Sequence, residues 1–166
     1  LFWKFEHPKS KINTKNVINV ANLCVEAKDK IIGFDIAGPE LSFPPSLFAE
    51  SFKKVSESGV NITIHAGEGD GVSSIIDALN NGAMRIGHGV RIIEDINDGI
   101  IGPTASKIID LQIPLEICIT SNIHTNMYES YEAHPISSLI DYGFNVYLNT
   151  DNRLMSNTSI SKEIEI

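Results

Sequence analysis

The sequence predicts an α/β protein built as a parallel (β/α) barrel of the TIM type. Three observations carry this: five short apolar, β-branched runs, a stretch of helical spacing in each gap between them, and polar residues gathered at the ends of successive runs. The runs cover residues 31–37, 60–65, 83–87, 114–120 and 145–149, with starts 29, 23, 31 and 31 residues apart. Near-continuous apolar strands alternating with helices form parallel sheets, either open and doubly wound or closed into a barrel. An open sheet binds at one switch point, whereas a barrel collects side chains from many strand ends on its top face. Asp35, His65, His88, Ser121 and Asp151 each lie at or just beyond the carboxyl end of a different run, which favours the barrel.

The elements follow in order. Val17, Val20, Ala21, Cys24 and Val25 make a helical stripe ahead of the first run. Phe48, Phe52 and Val55 form a second helix face that stops at Gly59, and Ile75, Ile76 and Leu79 a third that stops at Gly82. Pro103 opens a helix running to about Leu111, and Ile136, Leu139 and Ile140 make another before Gly143. The closing SISKEIEI reads as a helix just starting, and the chain opens on Leu1. A whole barrel takes about 250 residues, so five βα units in 166 residues are expected to be one partial domain, residues 1–166. The expectation is the carboxyl-terminal portion of a barrel, without its first strands and final helices, and with no linker marking a second domain.

Charge and composition narrow the function. Thirteen basic against 21 acidic side chains leave a net charge of −8, which argues against nucleic acid or an anionic membrane as partner. With 42% apolar and 20% charged residues the chain has the profile of a folded domain. Lys4 and Glu6 interrupt the opening LFWKF stretch and Asp35 interrupts IIGFDIAG, so no run approaches the roughly 18 apolar residues of a membrane span. Two cysteines, Cys24 and Cys118, supply neither a disulfide framework nor a four-cysteine zinc site, and fit a reducing cytoplasm.

Three segments hold the candidate chemistry. TIHAGEGDG places His65 at a strand end and Glu68 in a glycine-rich turn. Alone, these also read as a hydrogen-bonded structural histidine and a helix amino-terminal charge. No Gly-Lys-Ser/Thr follows, so GEGDG is not a phosphate loop. MRIGHGV places His88 between two glycines, which also suits a turn, and in YLNTDNR Asp151 also suits a helix cap. Together they set imidazole, carboxylic acid, imidazole and carboxylate on one rim. Such donors suit zinc, which lowers the pKa of bound water to about 7, and a metal-activated hydrolysis follows.

HAGEGDG, RIGHGV, GFDIAGPE, LEICITSN and VYLNTDNR, spanning residues from about 31 to 157, resemble in order and spacing the motifs of the adenosine deaminase family of barrel amidohydrolases. The resemblance implies one catalytic zinc ion, with His65 and Asp151 as ligands and Glu68, His88 and Asp151 as the catalytic groups. Glu68 would hand a proton to ring nitrogen one of a purine, and His88 would orient the attacking hydroxide. Gly38 would offer its amide to ring nitrogen three. Asn152 stands where the family often has a second aspartate, in a form resembling a bacterial NTDNR subgroup, and can donate to an unprotonated ring nitrogen. The implied reaction converts adenosine or 2′-deoxyadenosine to the inosine product and ammonia, in purine salvage. The alternatives are adenine or another adenine derivative as substrate, or an inactive truncated product. The family's His-x-His zinc pair is absent, and His7, His124 and His134 lack its spacing and receive no role. Ser121 and Asn122 either line the pocket or satisfy loop hydrogen bonds. With two implied ligands, this segment by itself is expected to bind zinc poorly and to be inactive. The oligomeric state is left open.

Overall fold

A computed structural model describes residues 14–166. Lys4, Glu6 and His7 lie outside the described residues. Helix α1 (Thr14–Glu26) leads into β1 (Gly33–Ile36), α2 (Ala49–Glu57), β2 (Asn61–Ala66), α3 (Val72–Asn80) and β3 (Arg85–His88). A small hairpin, β4 (Ile96–Asn97) and β5 (Ile100–Ile101), precedes α4 (Pro103–Asp110) and β6 (Leu115–Ile117). Helices α5 (Ile119–His124) and α6 (Ile136–Asp141), strand β7 (Val146–Leu148), and helices α7 (Arg153–Ser156) and α8 (Ile160–Glu165) complete the order. None of the described helices is long and apolar enough to cross a membrane.

Five strands pair in parallel in the order β1-β2-β3-β6-β7, which is also their order in the chain. A doubly wound sheet reverses direction at a switch point, whereas a barrel wall advances one way, as here. Burial along the strands agrees. Ile62 and Ile64 on β2, Ile86 on β3, and Leu115 and Ile117 on β6 are buried in one core with Phe52, Val55, Ile75, Ile108 and Leu139 of the helices. The alternate residues Asn61, Thr63, Arg85 and Glu116 line an open cavity on the other face together with Asp35. There Arg85 Nη1 donates to Glu116 Oε1 at 2.8 Å. One face dressed by helices and one concave polar face make the sheet an arc of barrel wall.

Three local readings change. The first strand, expected from residue 31, begins at Gly33, after a 3-10 turn at Lys28–Lys30 and an exposed Ile32. The run at 114–120 stops being strand at Ile117, and Ile119–His124 turns into α5. Its β-branched residues favour a strand, but a buried carboxylate far along the chain, Glu163, accepts the Thr120 N–H at 3.1 Å and satisfies an amide at the start of that helix. The β4–β5 hairpin is an addition. Asp98 and Gly99 adopt φ of 51° and 79°, the left-handed pair that a two-residue type I′ turn requires. Just upstream, Asp95 accepts the Thr104 and Ala105 N–H groups at 2.9 and 2.8 Å and caps α4 behind Pro103.

Ile86, 0% exposed on the central strand, is a direct probe of this core. In the complete protein, Ile86→Ala should lower the unfolding free energy by about 2–5 kcal/mol. Ile140→Ala, at a position 57% exposed, should shift it by no more than about 0.5 kcal/mol. Denaturant titration of both variants checks the difference, and equal effects would place the core elsewhere.

Candidate active site

A carboxylate organises the turn that carries Glu68. Glu40, 7% exposed in the loop after β1, accepts four consecutive backbone amides of the turn after β2. Its Oε2 takes Gly67 N–H at 2.8 Å and Asp70 N–H at 3.1 Å, and its Oε1 takes Glu68 and Gly69 N–H at 2.9 and 3.2 Å. Ser74 Oγ adds a donor to Oε2 at 3.0 Å from the first turns of α3. Successive amides curled around an anion form a nest. Here the anion belongs to the protein, and the nest projects the Glu68 side chain over the strand ends.

Glu68 Oε1 accepts Asn122 Nδ2 at 2.8 Å and Thr125 Oγ1 at 3.3 Å, while Oε2 lies 3.5 Å from His88 Nε2. The His88 and His65 rings meet edge to face with centroids 5.0 Å apart, and His65 Nε2 lies 3.8 Å from Asp35 Oδ2. Two backbone features permit this. His65 pairs in register with Gly87, where a Cβ would come within 2.5 Å of the His65 ring, so glycine makes room for the imidazole. His88 shares the strand parity of Ile86, which faces the helices, but its φ of 60° breaks the strand geometry and re-aims the ring toward His65.

Asp151 ends the segment after β7 with φ of 52°, and its Oδ2 accepts Ser121 Oγ at 2.8 Å. Its charge acts on His65, Glu68 and His88, so it stands on the same rim. The helix cap weighed for Asp151 belongs to its neighbour: Asn152 Oδ1 accepts Leu154 and Met155 N–H at 3.2 and 3.1 Å at the start of α7. That leaves the Asn152 amide nitrogen without a role in the cap. Gly38, with φ of 136°, lines a cleft with Ile36, Phe43, Ile64 and His65. This conformation suits glycine irrespective of any ligand.

Electrostatics separates the roles these groups can take. Burial pushes the Glu68 carboxyl pKa up, the Asn122 hydrogen bond opposes this, and the charges of Glu40 and Asp151 add to the rise. Burial pushes His65 down, helped by His88 and opposed by Asp35 and Asp151, and burial also pushes His88 down. A carboxyl whose pKa is pushed up, beside imidazoles whose pKa values are pushed down, has the chemistry of a proton donor next to groups able to bind a metal. Burial raises the Cys118 thiol pKa, so it is no thiolate nucleophile. The donors suit zinc: a neutral imidazole at His65, a carboxylate at Asp151, and beside His65 the buried Asp35 Oδ1, which has no hydrogen-bond partner among the described residues. They supply part of a site, since no three His, Cys, Asp or Glu side chains among the described residues converge to hold a metal by themselves.

The strand ends therefore bring together His65, Glu68, His88 and Asp151, with Gly38 in the adjoining cleft and Asn152 at the rim. Sequence reading missed Glu40, although it stands inside GFDIAGPE, and gave His134 no role. His134, 5% exposed, hydrogen bonds through Nε2 to Asn122 Oδ1 at 3.2 Å, and His124 closes α5 away from these contacts. A buried polar pair joining a helix residue to a loop residue 12 positions on leaves no periodic signal.

His134 predicts an acid sensitivity. Burial pushes its pKa down to about 4, opposed by the charge of Glu163, whereas in the unfolded chain it titrates near ~6.5. Between those values the unfolded chain binds a proton that the native ring refuses, so this contribution makes stability rise with pH and is lost as pH falls toward about 4. His134→Gln should flatten that part of the slope, read as Tm in buffers across the window. An unchanged slope would mean that other groups carry it.

Comparison with known proteins gives the chain its family. Residues 5–166 match the family model described as adenosine deaminase. The chain is 43% identical over 152 residues to an adenosine deaminase of Mycobacterium ulcerans, covering 87% of this chain and 42% of that protein. To adenosine deaminase 1 of Streptomyces coelicolor it is 45% identical over 155 residues, covering 89% and 39%. Among solved structures, an adenine deaminase from Arthrobacter aurescens superposes with a TM-score of 0.84 at 25% identity, covering 93% of this chain and 46% of that one. The chain thus spans about two-fifths of the length of the curated relatives it matches. The family model covers the βα units that gather His65, Glu68, His88 and Asp151, and the chain belongs to the adenosine deaminase family.

Proposed function

We propose that this chain provides the proton-transfer side of a zinc-dependent active site that hydrolyses adenosine, and 2′-deoxyadenosine, to the inosine product and ammonia. The observation that carries this reading is the contact set of Glu68, a half-buried carboxyl whose pKa is pushed up, with Asn122 on one oxygen and His88 on the other. His65 and Asp151 would hold the zinc, which when bound supplies hydroxide at neutral pH. The remaining steps fall to the chain's own groups. Glu68 gives its proton to ring nitrogen one, which makes the adjacent amino-bearing carbon electrophilic. His88, with Nε2 directed at Glu68, orients the attacking oxygen. The tetrahedral centre loses ammonia once the proton of its new hydroxyl has reached the leaving nitrogen, a transfer that Glu68, left as carboxylate, is placed to carry. The Gly38 amide and the free amide nitrogen of Asn152 position the base by hydrogen bonds. Division of labour between a metal and a glutamate that is not its ligand is a recurring arrangement in deamination of bases.

Adenine is the competing substrate, since the solved structure named above is an adenine deaminase. The curated adenosine deaminases are 43% and 45% identical, against 25% for that structure, which favours the nucleoside. The free thiols of Cys24 and Cys118 support a reducing, cytoplasmic setting for this step of purine salvage.

In the complete protein Glu68→Gln should cut turnover of adenosine by about 100-fold or more with zinc content unchanged, because a proton donor is lost and a ligand is not. Metal analysis beside the fall in adenosine absorbance reads both quantities. Loss of zinc would make Glu68 a ligand, and faster turnover of adenine than adenosine would reassign the substrate.

A further inference from the structure

The hydrogen bonds around Asn122 admit one consistent arrangement of protons. The backbone N–H of Ile136 donates to His134 Nδ1 at 3.2 Å. That nitrogen therefore presents a lone pair, and the proton of the neutral ring sits on Nε2. Nε2 faces Asn122 Oδ1 at 3.2 Å, so the amide oxygen accepts. The amide nitrogen is left with two protons, directed at Glu68 Oε1 at 2.8 Å and His88 Nδ1 at 3.3 Å. His88 Nδ1 is then an acceptor, and the His88 proton lies on Nε2, the nitrogen 3.5 Å from Glu68 Oε2.

The reversed amide is excluded by the same chain. It would set the Asn122 nitrogen against the His134 Nε2–H, two donors face to face, unless His134 moved its proton to Nδ1, where the Ile136 N–H already points. A backbone amide cannot change from donor to acceptor, so the orientation propagates outward from Ile136. Asn122 is 0% exposed and His134 5% exposed, so an unmatched polar atom here would go unrescued by water. Tyr128 packs edge-on against the His134 ring with centroids 5.0 Å apart. Glu163 holds the start of α5, the helix carrying Asn122, through the Thr120 N–H at 3.1 Å.

We propose that Asn122, anchored by His134, is a positioning residue that selects the Nε2–H tautomer of His88 and fixes the Glu68 carboxyl, aiming both at the reacting atoms. Its consequence for turnover rests on the deaminase reading above, whereas the tautomer itself does not. The neutral state of His134 that the relay needs agrees with its burial.

The complete protein with 15N-labelled histidine tests the relay, since two-bond 15N–1H correlations report which ring nitrogen is protonated. His88 and His134 are both expected as Nε2–H tautomers. In kinetics with adenosine, Asn122→Asp replaces the donor with acceptors and His134→Leu removes the anchor. Each is expected to lower kcat on the order of 100-fold while KM changes less than about threefold. His134→Gln, whose amide nitrogen reaches the position of Nε2, is expected to recover most of the His134→Leu loss. An Nδ1–H tautomer at His88 in the unaltered protein, or equal losses in the glutamine and leucine variants, would overturn the proposal. The tautomer measurement decides it even if a variant does not fold. Nε2–H tautomers in a protein that leaves adenosine intact would sink the deaminase reading and leave the relay standing.

Discussion

Much of this site depends on one carboxylate. Glu40 collects the amides of Gly67, Glu68, Gly69 and Asp70 and the hydroxyl of Ser74 on its two oxygens. Hydrogen bonds to a charged group contribute about 1.5–3 kcal/mol each, without simple additivity. Without it the four amides would be left without these partners at the base of a cleft. The turn joins β2, which carries His65, to α3, so holding the turn holds the candidate ligand and the proposed proton donor relative to each other. It also ties the loop after β1, where Gly38 lies, to the loop after β2. Two neighbouring βα units are thereby locked at the rim where chemistry would occur.

Backbone strain supplies the second part of the geometry. His88 and Asp151 are non-glycine residues with φ of 60° and 52°, conformations that cost on the order of 1–3 kcal/mol and persist where surrounding contacts fix them. In both cases a strand is ending and its alternation would direct the side chain by parity alone. The left-handed turn releases each residue from parity, so that His88 meets His65 and Glu68 and Asp151 meets Ser121. Asn152 stabilises the second of these turns by capping α7. Strain, cap and hydrogen bonds together aim a rim whose carboxyl is pushed up and whose imidazoles are pushed down in pKa.

The fold was legible because alternation and helix stops are local signals. Ile62 and Ile64 alternate with Thr63 and His65, and Gly59, Gly82 and Gly143 stand with positive φ where the helical stripes end. The rim was legible because barrel geometry places strand ends together, so the positions of His65, His88 and Asp151 could be read from strand ends, while their roles came from the family resemblance. The hairpin at Ile96–Ile101 carried a readable signal in Asp98-Gly99, but its two-residue strands are too short to alternate. Helix α5 was hidden because its sequence prefers a strand and the contact that overrides this comes from Glu163. Glu40 and the Asn122–His134 pair were hidden for a similar reason. A buried hydrogen bond across 27 or 12 residues has no period, and nothing nearby distinguishes such a carboxylate or imidazole from a solvated one.

Amide hydrogen exchange at residues 67–70 of the complete protein tests whether Glu40 holds this turn. A glycine-rich turn ordinarily exchanges at rates typical of open loops. With all four amides bound to Glu40, they should exchange as slowly as those of β2, and Glu40→Gln should speed them while leaving β3 and β6 protected. Loop-like exchange at Gly67, Glu68, Gly69 and Asp70 in the unaltered protein would mean that the turn that delivers Glu68 is held by something other than Glu40.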